Sequence, residues 1–95
     1  MNRMVRRSAQ VVRFSTNLAP GPRRAVKQPL RDLRAKRGDI RSLEGVLSGY
    51  HRLRTGRFRI IFSYAADEAI EALFMEERSL VYEVFEAELI RRLKS

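Results

Sequence analysis

The stretch Gly49-Tyr50-His51-Arg52-Leu53-Arg54-Thr55-Gly56-Arg57-Phe58-Arg59-Ile60-Ile61-Phe62 decides how this chain folds. Alternating side chains on either side of Thr55-Gly56 read as a β-hairpin closed by a two-residue turn. In that register Arg54 stands opposite Arg57 and Arg52 opposite Arg59, and the two-residue period puts all four guanidinium groups on one sheet face. A type I turn with a bulge at Gly56 would change these partners, because Thr is a poor residue at positive φ. Like charges set opposite each other cost a sheet stability. A face that accepts them fits a polyanion, an RNA or DNA backbone above all.

Upstream of the hairpin, Val26, Leu30 and Leu33 fall at i, i+4 and i+7 and predict a helix over 22–37. Pro22 suits its first turn, Pro29 predicts a kink or break, and Gly38 reads as its C-cap. Residues 39–48 read as a connector. Ala9–Ser15, short and rich in β-branched and aromatic residues, reads as a strand, followed by a loop over 15–22. Residues 1–8 read as a frayed basic arm. Downstream, Ala65–Glu68 reads as a polar turn and Ala69–Met75 as a further strand. Apolar residues of both parities there and in the second hairpin strand predict strands buried on both faces. Leu80–Leu93 carries Val81, Val84, Phe85, Leu89 and Leu93 along one side and predicts an amphipathic helix. The expected fold is α+β: a small, twisted antiparallel sheet in the order β-α-β-β-β-α, with its helices packed on one face.

Ninety-five residues support one domain over 1–95 with a single small core. The net charge is +9, which points to an anionic partner. Residues 1–59 hold 16 Lys and Arg against 3 Asp and Glu; residues 60–95 hold 4 against 8. A cationic working face with a separate acidic buttress is the expectation. The chain has no cysteine and one histidine, which excludes disulfides and thiol chemistry and argues against a metal centre or other cofactor. No apolar run approaches a membrane span and no apolar segment follows the basic N-terminus. The reading is a soluble cytoplasmic protein.

The chain resembles the RelE/ParE superfamily of toxin–antitoxin toxins. The resemblance rests on Leu43-Glu44-Gly45, Gly49-Tyr50, Arg52-Leu53-Arg54 with Gly56, Phe58-Arg59-Ile60-Ile61-Phe62, and Arg78 with Val81-Tyr82, and it covers roughly residues 9–90. It implies a RelE-like fold and a cognate acidic antitoxin. For RelE-type members it implies translation inhibition by a metal-independent endoribonuclease acting on mRNA at the ribosome. For ParE-type members it implies inhibition of DNA gyrase. By the resemblance, Arg52 and Arg54 match the basic pair before the turn, Arg59 the family's most typical arginine, and Arg78 and Tyr82 the arginine and tyrosine of the last motif. Glu76 and Glu77 stand where RelE-type enzymes often carry a basic residue or a histidine. That departure favours the gyrase inhibitor, or a catalytically silent RNA- or antitoxin-binding relative.

Cleavage by the RNA's own 2′-hydroxyl needs in-line positioning, deprotonation of that hydroxyl and neutralisation of charge on the phosphoryl oxygens. Arginine suits the last role and, always charged, not the second. The expected site therefore has Arg59, Arg78 and Tyr82 as catalytic residues, with Arg52, Arg54 and Arg57 binding RNA. Glu76, Glu77 and His51 are the other titratable candidates, His51 reading more readily as structural because it shares the parity of Leu53.

Overall fold

The computed structural model describes residues 3–77 and 80–94, the side chains of Leu80 and residues 92–94 excepted. Among these residues, a five-stranded sheet is flanked by three α-helices. In chain order these are β1 (Val5–Arg7), α1 (Ala9–Thr16), α2 (Pro20–Asp32), β2 (Asp39–Ser42), β3 (His51–Thr55), β4 (Phe58–Tyr64), β5 (Ile70–Glu77) and α3 (Leu80–Lys94). The strands lie in the order β1-β5-β4-β3-β2. All pairs are antiparallel except β1 with β5, so the sheet is mixed.

The α+β class and the hairpin are as expected, and several details differ for identifiable reasons. Ala9–Thr16 is a helix, not a strand. Ser8 caps it by accepting from Val11 N–H at 3.2 Å. Val11 and Phe14 then share the buried side with Leu18, a helical spacing that outweighs the strand preference of Val11-Val12. Within the stretch read as a frayed arm, Val5–Arg7 pair in parallel with Ile70–Ala72. Asp39–Ser42, read as connector, is an edge strand on β3. The helix α2 runs through Pro29 and tightens into a 3-10 turn at Leu33–Ala35. Lys36, not Gly38, takes the left-handed position after that turn, at φ 55°. Gly38 is needed for another reason: at φ +121° a Cβ there would meet Leu53 Cδ1 at 2.8 Å.

Two apolar clusters sandwich the sheet. On one face, Val11, Val26, Leu30 and Leu33 from the helical side pack on Leu53, Phe58, Ile60, Phe62, Ile70, Ala72 and Met75. On the other, Val81 and Phe85 of α3 pack on Ile61 and Leu47, with Leu73, Phe74, Tyr50 and Tyr82 partly buried around them. The helices are thus not all on one face: α1 and α2 share one, and α3 takes the other. This is why β4 and β5 carry apolar residues of both parities. Phe62 and Ile61, adjacent in sequence, are each fully buried on opposite faces. Truncating such a residue to Ala typically costs about 2–5 kcal/mol. Val84, expected on the apolar side of α3, is 43 % exposed.

A bulge in β5 resets its parity. Ile61 pairs with Phe74 but Phe62 pairs with Ala72, so Leu73 is the extra residue. Leu73 and Phe74 therefore both face α3, while Met75 returns to the α1–α2 face. Beyond Ala72, β1 has ended and the open edge of β5 is closed by side chains. Ser8 Oγ donates to Leu73 O at 2.7 Å. The Gln10 amide donates to Met75 O at 2.7 Å and accepts from Met75 N–H at 2.8 Å. Gln10 thus stands in for one residue of a missing strand.

Candidate nucleic-acid interface

The hairpin is closed by Gly56-Arg57, one residue later than Thr55-Gly56. Gly56 sits at φ +57°, as the first central residue of a primed two-residue turn requires. The pairs are Thr55 with Phe58, Arg54 with Arg59, and Arg52 with Ile61. Arg57 therefore leaves the ladder. Its guanidinium lies 5.1 Å from the Phe58 ring centroid, and its Nε is 3.7 Å from Glu77 Oε1. Phe58 belongs to the α1–α2 face, so Arg57 does not join the other three arginines.

Arg52, Arg54 and Arg59 do share the α3 side of the sheet, since Leu53, Phe58 and Ile60 face α1 and α2. Strand β2 adds Arg41 opposite Arg52 and Asp39 opposite Arg54. Like charges thus stand opposite each other twice, Arg54 with Arg59 and Arg41 with Arg52. Asp39 relieves the crowding. Its carboxylate accepts from Arg52 Nη2 at 3.1 Å and pairs with Arg54 Nε at 3.2 Å. Arg59 turns its Nη1 onto the carbonyls of Gly56 and Phe58, at 3.1 and 3.0 Å. Its remaining N–H groups are not engaged among the described residues.

The three arginines differ in what they can do. The Arg52 side chain is only 9 % exposed, and its Nε has no hydrogen-bond partner among the described residues. It is a buried anchor for Asp39. Arg54 is 55 % exposed and Arg59 is half-buried; with exposed Arg41 they form the accessible cationic strip. Tyr82 lies on this side of the sheet, partly buried against the cluster of Leu47, Ile61, Val81 and Phe85. Arg78 lies outside the described residues. Glu76 stands opposite Arg59 on the β4–β5 ladder and flanks the strip, whereas Glu77 stands opposite Phe58 on the α1–α2 face.

His51 faces away from the strip. Its ring stacks on Phe62 at 5.4 Å, and its Nδ1 is 3.2 Å from Ser42 Oγ. Desolvation, then the nearby Lys36 charge, pushes its pKa below the usual value. It is a structural histidine, as its parity with Leu53 indicates. Asp39 and Arg41 are the site members that the hairpin motif alone does not reveal. Their signal was the polar–apolar alternation of Asp39-Ile40-Arg41-Ser42, a strand pattern too short to stand out between two glycines.

No protein-family model matches the chain, and no curated protein matches its sequence. Solved structures do match its fold. A chain of the RelBE2 toxin–antitoxin complex from Mycobacterium tuberculosis is 19 % identical with TM-score 0.65, and the match covers 82 % of this chain and 100 % of that one. A chain of the archaeal RelE–RelB complex from Pyrococcus horikoshii is 27 % identical with TM-score 0.65, covering 83 % and 98 %. A chain of the RelB–RelE antitoxin–toxin complex from Methanococcus jannaschii is 19 % identical with TM-score 0.64, covering 83 % and 96 %. The sheet order, the arginine-bearing hairpin and these matches together show that the chain has a RelE-like fold.

Proposed function

We propose that this protein is the toxin of a type II toxin–antitoxin pair and acts as an endoribonuclease on ribosome-bound mRNA, held in check by a cognate acidic antitoxin. The observation that carries this reading is the cross-strand pair Arg54–Arg59, flanked by Arg41 and placed on the same sheet side as Tyr82. Two opposed guanidinium groups form an electrostatically unfavourable arrangement that a phosphate between them would relieve. In this reading Arg54 and Arg41 hold the backbone. Arg59 meets the charge that develops on the phosphoryl oxygens, and the Tyr82 phenol orients or transfers a proton. The RNA's own 2′-hydroxyl attacks phosphorus, the P–O5′ bond breaks to leave a 2′,3′-cyclic phosphate, and the proton lost from the 2′-oxygen is balanced by the one that the departing 5′-oxygen gains. Arg52 supports the site through Asp39, and Arg78 keeps the role that its sequence position implies.

The test is mRNA cleavage on translating ribosomes. Arg59→Ala is expected to slow turnover about 10²–10³-fold, the usual effect of removing one transition-state donor, with a much smaller loss in RNA binding. Tyr82→Phe slows cleavage if the phenol moves a proton and leaves it intact if the ring only stacks. Glu76, set opposite Arg59, specifically favours a second reading, a ParE-type gyrase inhibitor. Intact ribosomal mRNA together with blocked supercoiling would replace the first reading with that one.

A further inference from the structure

A second cationic surface lies on the opposite side of the sheet, in a groove of about 670 Å³ between β1 and α2. Arg3, Arg7, Arg23, Lys27, Arg31 and Arg34 line it, and no carboxylate does. Two of these are spoken for: Arg3 donates to Glu68 O, and Arg23 to the carbonyls of Thr16 and Leu18. Arg7, Lys27, Arg31 and Arg34 have no side-chain partner among the described residues. Along the groove runs the free edge of β1. Ile70 N–H donates to Met4 O at 2.8 Å, and Ser8 N–H to Ala72 O at 2.9 Å. The even-numbered residues therefore turn toward β5, and the N–H and C=O of Val5 and Arg7 turn outward. Arg34 O closes the edge at one end by accepting from Arg3 N–H at 2.9 Å. Met4, 65 % exposed, adds an apolar contact at the rim.

We infer that this groove is the docking site for an extended acidic segment of a protein partner, which adds a sixth strand on β1. An unpaired strand edge recruits a peptide backbone through alternating donors and acceptors, and flanking side chains select its sequence. Carboxylates on the α2-facing side of the segment meet Lys27, Arg31, Arg34 and Arg7. A nucleic-acid strand can use the cations but not the strand edge, and the groove has no aromatic side chain on which a base could stack. The inference rests on the toxin reading only for naming that partner as the antitoxin. Occupying this face leaves the arginine strip uncovered, so this contact docks the partner and does not by itself block RNA at the hairpin.

The experiment uses the full chain with an eight-residue blocked peptide alternating glutamate and valine, and follows amide hydrogen exchange by NMR. Binding is expected to protect the amides of Val5 and Arg7 about tenfold or more and to leave those of Arg54 and Arg59 unchanged. A glutamine–valine peptide is expected to bind about tenfold more weakly, as is the Lys27→Glu, Arg31→Glu double variant. Arg54→Ala is expected to leave peptide binding unchanged while weakening RNA binding. Unprotected Val5 and Arg7 amides would overturn the inference. So would equal affinity for the neutral peptide, or a uridine octamer that competes the peptide out of the groove. Failure of mRNA cleavage would count against the nuclease reading alone.

Discussion

At the scale of single residues, the cationic strip shows that one-dimensional charge patterns do not distinguish exposed arginines from buried ones. Arg52 and Arg54 were equivalent in the sequence, two positions apart on one strand face. The structure separates them: both are paired on β2 and β4, but Arg52 lies deeper along the ladder beside buried Ile61, and Arg54 lies near the turn. Asp39→Ala leaves the buried Arg52 guanidinium without its counter-ion and is expected to destabilise the fold by about 1–3 kcal/mol. Arg54→Ala, at an exposed position, is expected to change stability by under about 0.5 kcal/mol while weakening RNA binding. Thermal unfolding of the two variants checks this, and a neutral Asp39→Ala would mean that Arg52 reaches solvent. His51 offers a cleaner residue-scale test, because it is the sole histidine. Its folded pKa lies below the unfolded value of 6.5, so the unfolded chain binds the proton more tightly. Stability is then complete above about pH 6.5 and falls as pH drops through the folded pKa. His51→Gln is expected to flatten the slope of stability between pH 7 and 5; an unchanged slope would place the titrating group elsewhere.

At the scale of elements, what was legible depended on whether a pattern ran long enough to outvote local propensity. The hairpin, the stripe of Val26, Leu30 and Leu33, and the last helix each carry several in-phase apolar residues, and each was readable. The turn position was missed by one residue, because both Thr55-Gly56 and Gly56-Arg57 place a glycine in the loop and only the cross-strand packing of Phe58 on the α1–α2 face decides. Strand β1 has three residues and β2 four, too few for periodicity to register. Their existence depends on partners remote in sequence, Ile70–Ala72 for one and His51–Arg54 for the other. The first helix was hidden by Val11-Val12, and its role is tertiary: it delivers Gln10 to the open end of β5. Gln10→Ala would strand the Met75 N–H and C=O, at an expected cost of about 1–3 kcal/mol. Hydrogen exchange at the Met75 amide should accelerate with it. A variant as stable as wild type, with Met75 still protected, would show that the side-chain bridge is dispensable.

At the scale of the whole molecule, the charge asymmetry along the chain does not become a single cationic face backed by an acidic one. Carboxylates of β5 and the turn before it pair with basic residues, as in Arg6 with Asp67 and Glu71 at 2.9 Å. Much of the surplus positive charge gathers in two places, the hairpin strip on the α3 side and the groove beside α2. A net charge of +9 attracts any polyanion to both, so affinity alone cannot locate the proposed RNA site. The salt dependence can, because each phosphate neutralised on a single strand contributes about −0.7 to the slope of log K against log salt. The strip exposes Arg41, Arg54 and Arg59 among the described residues, so a short single strand bound there is expected to show a slope of roughly −2, three contacts at that value. Arg54→Ala should make the slope shallower by about 0.7 and weaken all sequences alike, since phosphate contacts carry no base information. Lys27→Ala should shift affinity slightly through the long-range field and leave the slope unchanged. If Lys27→Ala and Arg54→Ala flatten the slope equally, RNA wraps the whole cationic surface and the strip is not its site. If binding does not respond to salt at all, nucleic acid is not the ligand, and the opposed arginines answer to some other anion.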